Sequence, residues 1–214
     1  MKIKNRIENL KTLFTNKKFL LDLFVSALGF VLVAGVFFKI YLKEYLANLE
    51  NNPINDELLN ILPSIDLDII ATNYIYVLIA VLLGYLLFIK PQKIPFYIKS
   101  ITMLYFAKYI ILPTTNLTYP EGAIHESFDT IYNDLFFSGH TAFPVLLYFL
   151  TKDETKYLKY FFLVSAFIEG TTVLLMKLHY TIDVYAAPFF AFSIYSLSFY
   201  FFGKNYKKYD QLIS

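Results

Sequence analysis

The chain has 214 residues, of which 57% are hydrophobic, 20% aromatic and only 17% charged, with a formal net charge of +2. A soluble domain carries roughly 25% charged residues, and the apolar residues here fall in long runs, so the composition excludes an ordinary soluble domain and indicates a bilayer as solvent. The absence of cysteine excludes disulfides, iron–sulfur clusters, thiolate zinc sites and a cysteine nucleophile; a single arginine, Arg6, and no dense basic face exclude nucleic acid as a partner.

Residues 1–18 form a basic N-terminus. A helix needs about 20 apolar residues to cross the hydrocarbon core, and six runs approach that length: 19–42, 69–89, 96–113, 135–150, 160–176 and 182–202. The first exceeds the apolar core of a secretory signal and lacks a small-residue cleavage site, which predicts a retained helix. Between the first two runs, breakers at Asn51, Asn52, Pro53 and Pro63 leave room for a short surface helix around 56–61. The third run contains Lys99 and Lys108, and the fourth is short. The expected fold is all-α: one six-helix membrane domain over 19–203, followed by a basic tail over 204–214.

Cytoplasmic loops retain lysine and arginine. Arg6 and most of the lysines lie before run one, between runs two and three, between four and five, and after six. Both termini are therefore expected in the cytoplasm. The opposite segments are acidic, with Asp56, Asp66, Asp68, Glu121, Glu126, Asp129 and Asp134. For most of these carboxylates, solvation and topology suffice as a role.

The same orientation puts two sequence-distant polar clusters on the outer face. In Ser138-Gly139-His140-Thr141, a serine before a helix leaves backbone N–H groups and a positive dipole end that favour phosphate, while the imidazole can give or take a proton. The alternative is a capping serine followed by an interfacial histidine. In His179-Tyr180-Thr181-Ile182-Asp183, the four-residue spacing puts His179 and Asp183 on one face, where the carboxylate can fix the tautomer and leave the other ring nitrogen as a nucleophile. A helix start with a capping aspartate is the alternative there. Metal binding would rest on three histidines and the carboxylates and is less favoured. No cofactor is expected.

Together these motifs resemble the type 2 phosphatidic acid phosphatase superfamily, and more closely its sphingomyelin synthase-like branch. The resemblance rests on Asn133-Asp134-Leu135-Phe136-Phe137-Ser138-Gly139-His140-Thr141, on His179-Tyr180-Thr181-Ile182-Asp183-Val184, and on Lys99-Ser100-Ile101-Thr102-Met103 followed by Leu112-Pro113. It extends over about 69–203. It implies a phosphohistidine mechanism in which His179 attacks phosphorus, Asp183 orients it, and His140 protonates the leaving alkoxide and then activates the acceptor. A lipid alcohol such as ceramide or diacylglycerol as acceptor makes a head-group transferase for phosphocholine or phosphoethanolamine; water makes a lipid phosphatase or phospholipase C-like hydrolase.

The Lys-x6-Arg-Pro element of the phosphatase branch is missing, as is an arginine upstream of the second histidine. Phosphate contacts are therefore expected from Ser138, Gly139, Lys177 and Lys99, and Asp134, six residues before His140, is expected to recognise a head group or support a histidine. Lys177, two residues before His179, ranks ahead of Lys108 among the outer cations, and Lys99 replaces the branch's arginine. Glu169, inside run five, and Tyr180 are candidates to support the site. The implied partners are membrane lipids. A different class, a transport protein with Glu169, His140, His179 and Asp183 as a proton path, fits less well, because transporter sites sit near the midplane.

Overall fold

The computed structural model describes residues 2–50, 53–125 and 133–212, and among them the chain is helical with no strand. Asn51, Asn52, Glu126 and Asp129, which entered the reading of the loops, lie outside the described residues. Eight helices follow in order: α1 (Lys2–Thr15), α2 (Lys17–Ala47, with wider π turns over Val31–Leu42), α3 (Glu57–Ile61), α4 (Asp68–Phe88), α5 (Ile94–Thr115), α6 (Gly139–Thr151), α7 (Lys156–Leu175) and α8 (Thr181–Gln211).

Local chemistry sets the boundaries. Asn16 Oδ1 accepts from the backbone N–H groups of Lys18 and Phe19 at 3.0 and 3.1 Å and starts α2. Asp56 Oδ1 accepts from Leu59 N at 3.0 Å and starts α3, where the short surface helix was expected. Pro95 sits in the first turn of α5, where its missing N–H costs nothing. Asn116 ends α5 in the left-handed region (φ 48°), which asparagine tolerates better than most residues.

Four helices, α2, α4, α7 and α8, are long and apolar enough to cross a membrane. Their outward faces are apolar: Ile69 is 78% exposed, Phe167 71%, Phe189 75% and Tyr200 81%. Such a surface is compatible with a membrane protein, its apolar side chains facing lipid. The other two expected spans differ. Helix α5 has 22 residues but carries Lys99 and Lys108. Helix α6 has 13 residues, a rise of about 20 Å, short of the ~30 Å hydrocarbon core. It starts at Gly139, as a capping Ser138 implies, and not at the head of the run 135–150, because Leu135 and Phe137 are fully buried as loop residues, with Phe137 stacked on Phe190 at 4.3 Å between ring centroids.

Helix α6 is the axis of the bundle. Nearly every residue from Thr141 to Leu147 is buried, packed by α5, α7 and α8. Gly170 on α7 makes the closest approach possible: a Cβ there would lie 3.3 Å from Val184 Cγ1 and 3.4 Å from Thr141 Oγ1. At the end of the bundle away from the histidines, buried Lys93 pairs with Glu154 and donates to Tyr206 Oη at 2.6 Å, and Gln92 donates to Asp210 at 2.9 Å. These contacts fasten the start of α5 to the end of α8.

Candidate active site

The α7–α8 connection is short, and most of its backbone N–H groups are bonded. Lys177 adopts a left-handed conformation (φ 56°), and Leu178 N donates to Val173 O at 2.9 Å, closing α7. Helix α8 then starts under two carboxylates. Asp183 Oδ2 accepts from Tyr180 N at 2.9 Å. Asp56 accepts from Thr181 N at 2.7 Å and from Thr181 Oγ1 at 3.0 Å. Asp56 therefore caps both α3 and α8; burial works against its charge, but the donated hydrogen bonds win and hold its pKa below the ordinary carboxylate value.

Helix α6 is capped by Ser138, whose Oγ accepts from Thr141 N at 3.4 Å. Ser138 N in turn donates to the backbone carbonyl of Asp183 at 3.1 Å. That one bond ties the start of α6 to the first turn of α8 and so fixes His140 relative to His179. Their ring centroids lie 6.3 Å apart with planes at 63°.

His179 is 4% exposed, and its Nδ1 lies 3.4 Å from Asp183 Oδ2. Asp183 is fully buried, and its other oxygen, Oδ1, has no hydrogen-bond partner among the described residues. Burial pushes the His179 pKa below the ordinary histidine value; Asp183 opposes the shift, and the positive charge of Lys108 adds to it. The shift favours the neutral imidazole, the form with a free lone pair.

The cation at this place is Lys108. It is 3% exposed, and its Nζ donates to Phe137 O at 2.9 Å and lies 3.0 Å from Asp134 Oδ1. A Cβ on Gly139 would stand 3.3 Å from the same Nζ, so the glycine makes room for the ammonium beside the N-terminus of α6. Asp134, Ser138, Gly139, His140, His179 and Asp183 are brought together with Lys108 at one end of the bundle.

The other expected residues lie elsewhere. Lys99 forms an ion pair with Asp22 and holds its ammonium 5.1 Å from the Phe202 ring centroid. It lies nine residues before Lys108, about 14 Å down the α5 axis, because Asp22 of α2 gives it a nearer partner. Lys177 is carried by its left-handed turn toward Gly122 and lines a 250 Å³ cavity with Asp56, Glu121 and Tyr180. Tyr180 is buried; its hydroxyl accepts from Ile54 N at 3.0 Å and donates to Thr118 O at 2.9 Å, which pins two loops over the start of α8. Glu169 is fully buried on α7, beside the Gly170 contact.

Two residues carry more of this geometry than their sequence context suggested: Lys108 and Asp56. The signal for Lys108 was its place inside an apolar run, where a charge is costly without a task. Asp56 gave none, since its second partner, Thr181, is far away in the chain. Among the described residues no three His, Asp or Glu side chains converge as a metal site requires.

No curated protein and no solved structure matches the chain. Residues 133–202 match the family model described as PAP2 superfamily C-terminal, a segment that contains His140, His179 and Asp183, and the match supports the type 2 phosphatidic acid phosphatase superfamily.

Proposed function

We propose that the protein is an integral membrane enzyme that transfers phosphoryl groups of lipids through a phosphohistidine. The observation that carries the reading is the convergence of His140, the His179–Asp183 pair and buried Lys108 at one end of the bundle. In the first step the free nitrogen of neutral His179 attacks phosphorus, and the bond to the leaving alkoxide breaks. Asp183 stabilises the positive charge that appears on the ring, and protonated His140 gives its proton to the alkoxide. Lys108 and the N-terminal N–H groups of α6 face the phosphate oxygens. In the second step His140 takes a proton from the acceptor, whose oxygen displaces His179 from phosphorus.

The substrate class follows from charge. A phosphate monoester carries nearly two negative charges at neutral pH, and besides the proton that His140 gives up the site offers one lysine already balanced in part by Asp134. A phosphodiester carries one, which this site matches better. The reading is therefore sphingomyelin synthase-like: a phosphocholine or phosphoethanolamine group leaves a phospholipid for ceramide or diacylglycerol. Hydrolysis is the second reading, favoured by the superfamily match alone; it uses the same first step with water as acceptor. Six spans, cytoplasmic termini and an outward-facing site complete the proposal, supported by the lysine distribution.

The test is a lipid panel. Purified protein receives phosphatidylcholine, phosphatidylethanolamine or phosphatidic acid, with and without ceramide or diacylglycerol, and products are identified by mass spectrometry. The proposal expects a head-group-bearing product that forms only when the lipid alcohol is present. Release of free phosphate from phosphatidic acid alone would select the hydrolase, and no turnover of any lipid would remove both readings.

A further inference from the structure

A cavity of about 460 Å³ runs beside the site between α2, α4 and α5, and its lining is almost wholly apolar. That volume lies within the range of small-molecule sites, about 300–1,000 Å³. One wall is a single stripe of α5, Ile94, Ile98, Ile101 and Tyr105, at the three- and four-residue spacings of one helix face. Continued by three residues, the stripe reaches Lys108. Phe143, one turn after His140 on α6, also lines it. The cavity thus stops about one helical turn short of the catalytic end on both α5 and α6.

Its length and opening define the occupant. From Ile94 to Tyr105 the stripe rises about 16 Å, about half the thickness of a hydrocarbon core of roughly 30 Å. Leu83 and Leu87 on the α4 side are 49% and 51% exposed, so the trough opens on the apolar flank of the bundle. The hydroxyl of Tyr97, which also lines it, donates to Leu150 O at 2.7 Å. Walls of this kind offer water too few partners to hold it.

We infer that this cavity seats one acyl chain of the lipid substrate and threads it along α5, so that the phosphate at its end comes to rest beside Lys108 and His140. The inference rests on the lipid-phosphate reading of the site and adds where the lipid body lies. A chain gains little free energy on leaving a bilayer that is itself apolar. The seat therefore acts by position, aligning one lipid out of many with the histidines.

The experiment uses the full chain in detergent micelles with a phosphatidylcholine that carries a photoactivatable diazirine in one acyl chain. After illumination, adducts are mapped by mass spectrometry. They are expected to concentrate in residues 79–87 and 94–105. The double variant Ala27→Phe, Ile98→Trp fills the trough and is expected to reduce those adducts roughly tenfold, the scale on which pockets discriminate by shape. Phe167→Trp, on the outward face of α7, leaves the map unchanged. Adducts spread evenly over Phe167, Phe189 and Tyr200, or adducts in the trough that survive its filling, would overturn the seat. Should the double variant not fold, Ile98→Trp alone takes its place, with the same expected loss of trough adducts. Labelling needs no turnover, so trough adducts without turnover of any lipid remove the catalytic proposal alone, and turnover without trough adducts removes the seat alone.

Discussion

Lys108 joins the electrostatics of the site to its chemistry. Burial lowers the pKa of His179 against the opposing effect of Asp183, and the Lys108 ammonium adds to the lowering. Replacing Lys108 with methionine removes a positive charge, so the His179 pKa rises and the acid limb of the kcat/KM profile moves to higher pH; the rate also falls by roughly 10- to 100-fold, the worth of a charge-assisted hydrogen bond. A pH–rate profile of Lys108→Met whose acid limb stays in place or moves down would contradict this link. The same shift has a stability side. The native pKa of His179 lies below its unfolded value of about 6.5, so the stabilisation is whole above that pH and is lost as pH falls through it toward the native value.

Which cation serves the site was legible only in part. Lys177 stands two residues before His179, and proximity in sequence favoured it. The left-handed turn at Lys177 sends the side chain to the loop cavity instead, and no residue pattern announces such a turn where a lysine occupies it. Lys99 sits in the motif that resembles the family, yet Asp22 of α2 holds it. That pairing depends on a helix contact invisible from either segment alone.

At the scale of the element, the N-terminus of α6 decides the site. The apolar run from Leu135 to Leu150 reads as one helix, because burial and helix formation both favour apolar residues. The polar Ser138-Gly139 pair inside the run was the better boundary signal, and there the backbone changes from loop to helix. The packing of α6 against α7 and α8 then depends on Gly170. Gly170→Val places atoms where Val184 Cγ1 and Thr141 Oγ1 already lie and is expected to cost about 1–3 kcal/mol. Gly84→Ala, with no atom within 4 Å of the new Cβ, is expected to show no such loss. Thermal unfolding of both variants in detergent checks the pair; equal midpoints would remove the close-approach argument.

For the whole molecule, the long helices were legible because their apolar runs match the bilayer and carry few charges. The buried axis, α6, was less so, since a short helix wrapped by others shows no outward face to betray its length. The proposed orientation rests on lysine bias alone, and the cysteine-free sequence makes it directly testable. Ser64→Cys, in the exposed connection before α4, is expected to react with a membrane-impermeant maleimide on intact cells. Lys207→Cys, near the end of α8, is expected to react only after permeabilisation. The reverse pattern would place the histidines on the cytoplasmic side.

The central claim is that His179 carries the phosphoryl group between donor and acceptor. The direct measurement is rapid acid-free quenching of the purified protein with head-group-labelled phospholipid, followed by peptide mapping of the labelled site. The account predicts an acid-labile adduct on residue 179 that forms before product, decays when acceptor is added and is absent from His179→Ala. Steady turnover with no labelled intermediate, or with the label on another residue, would contradict it.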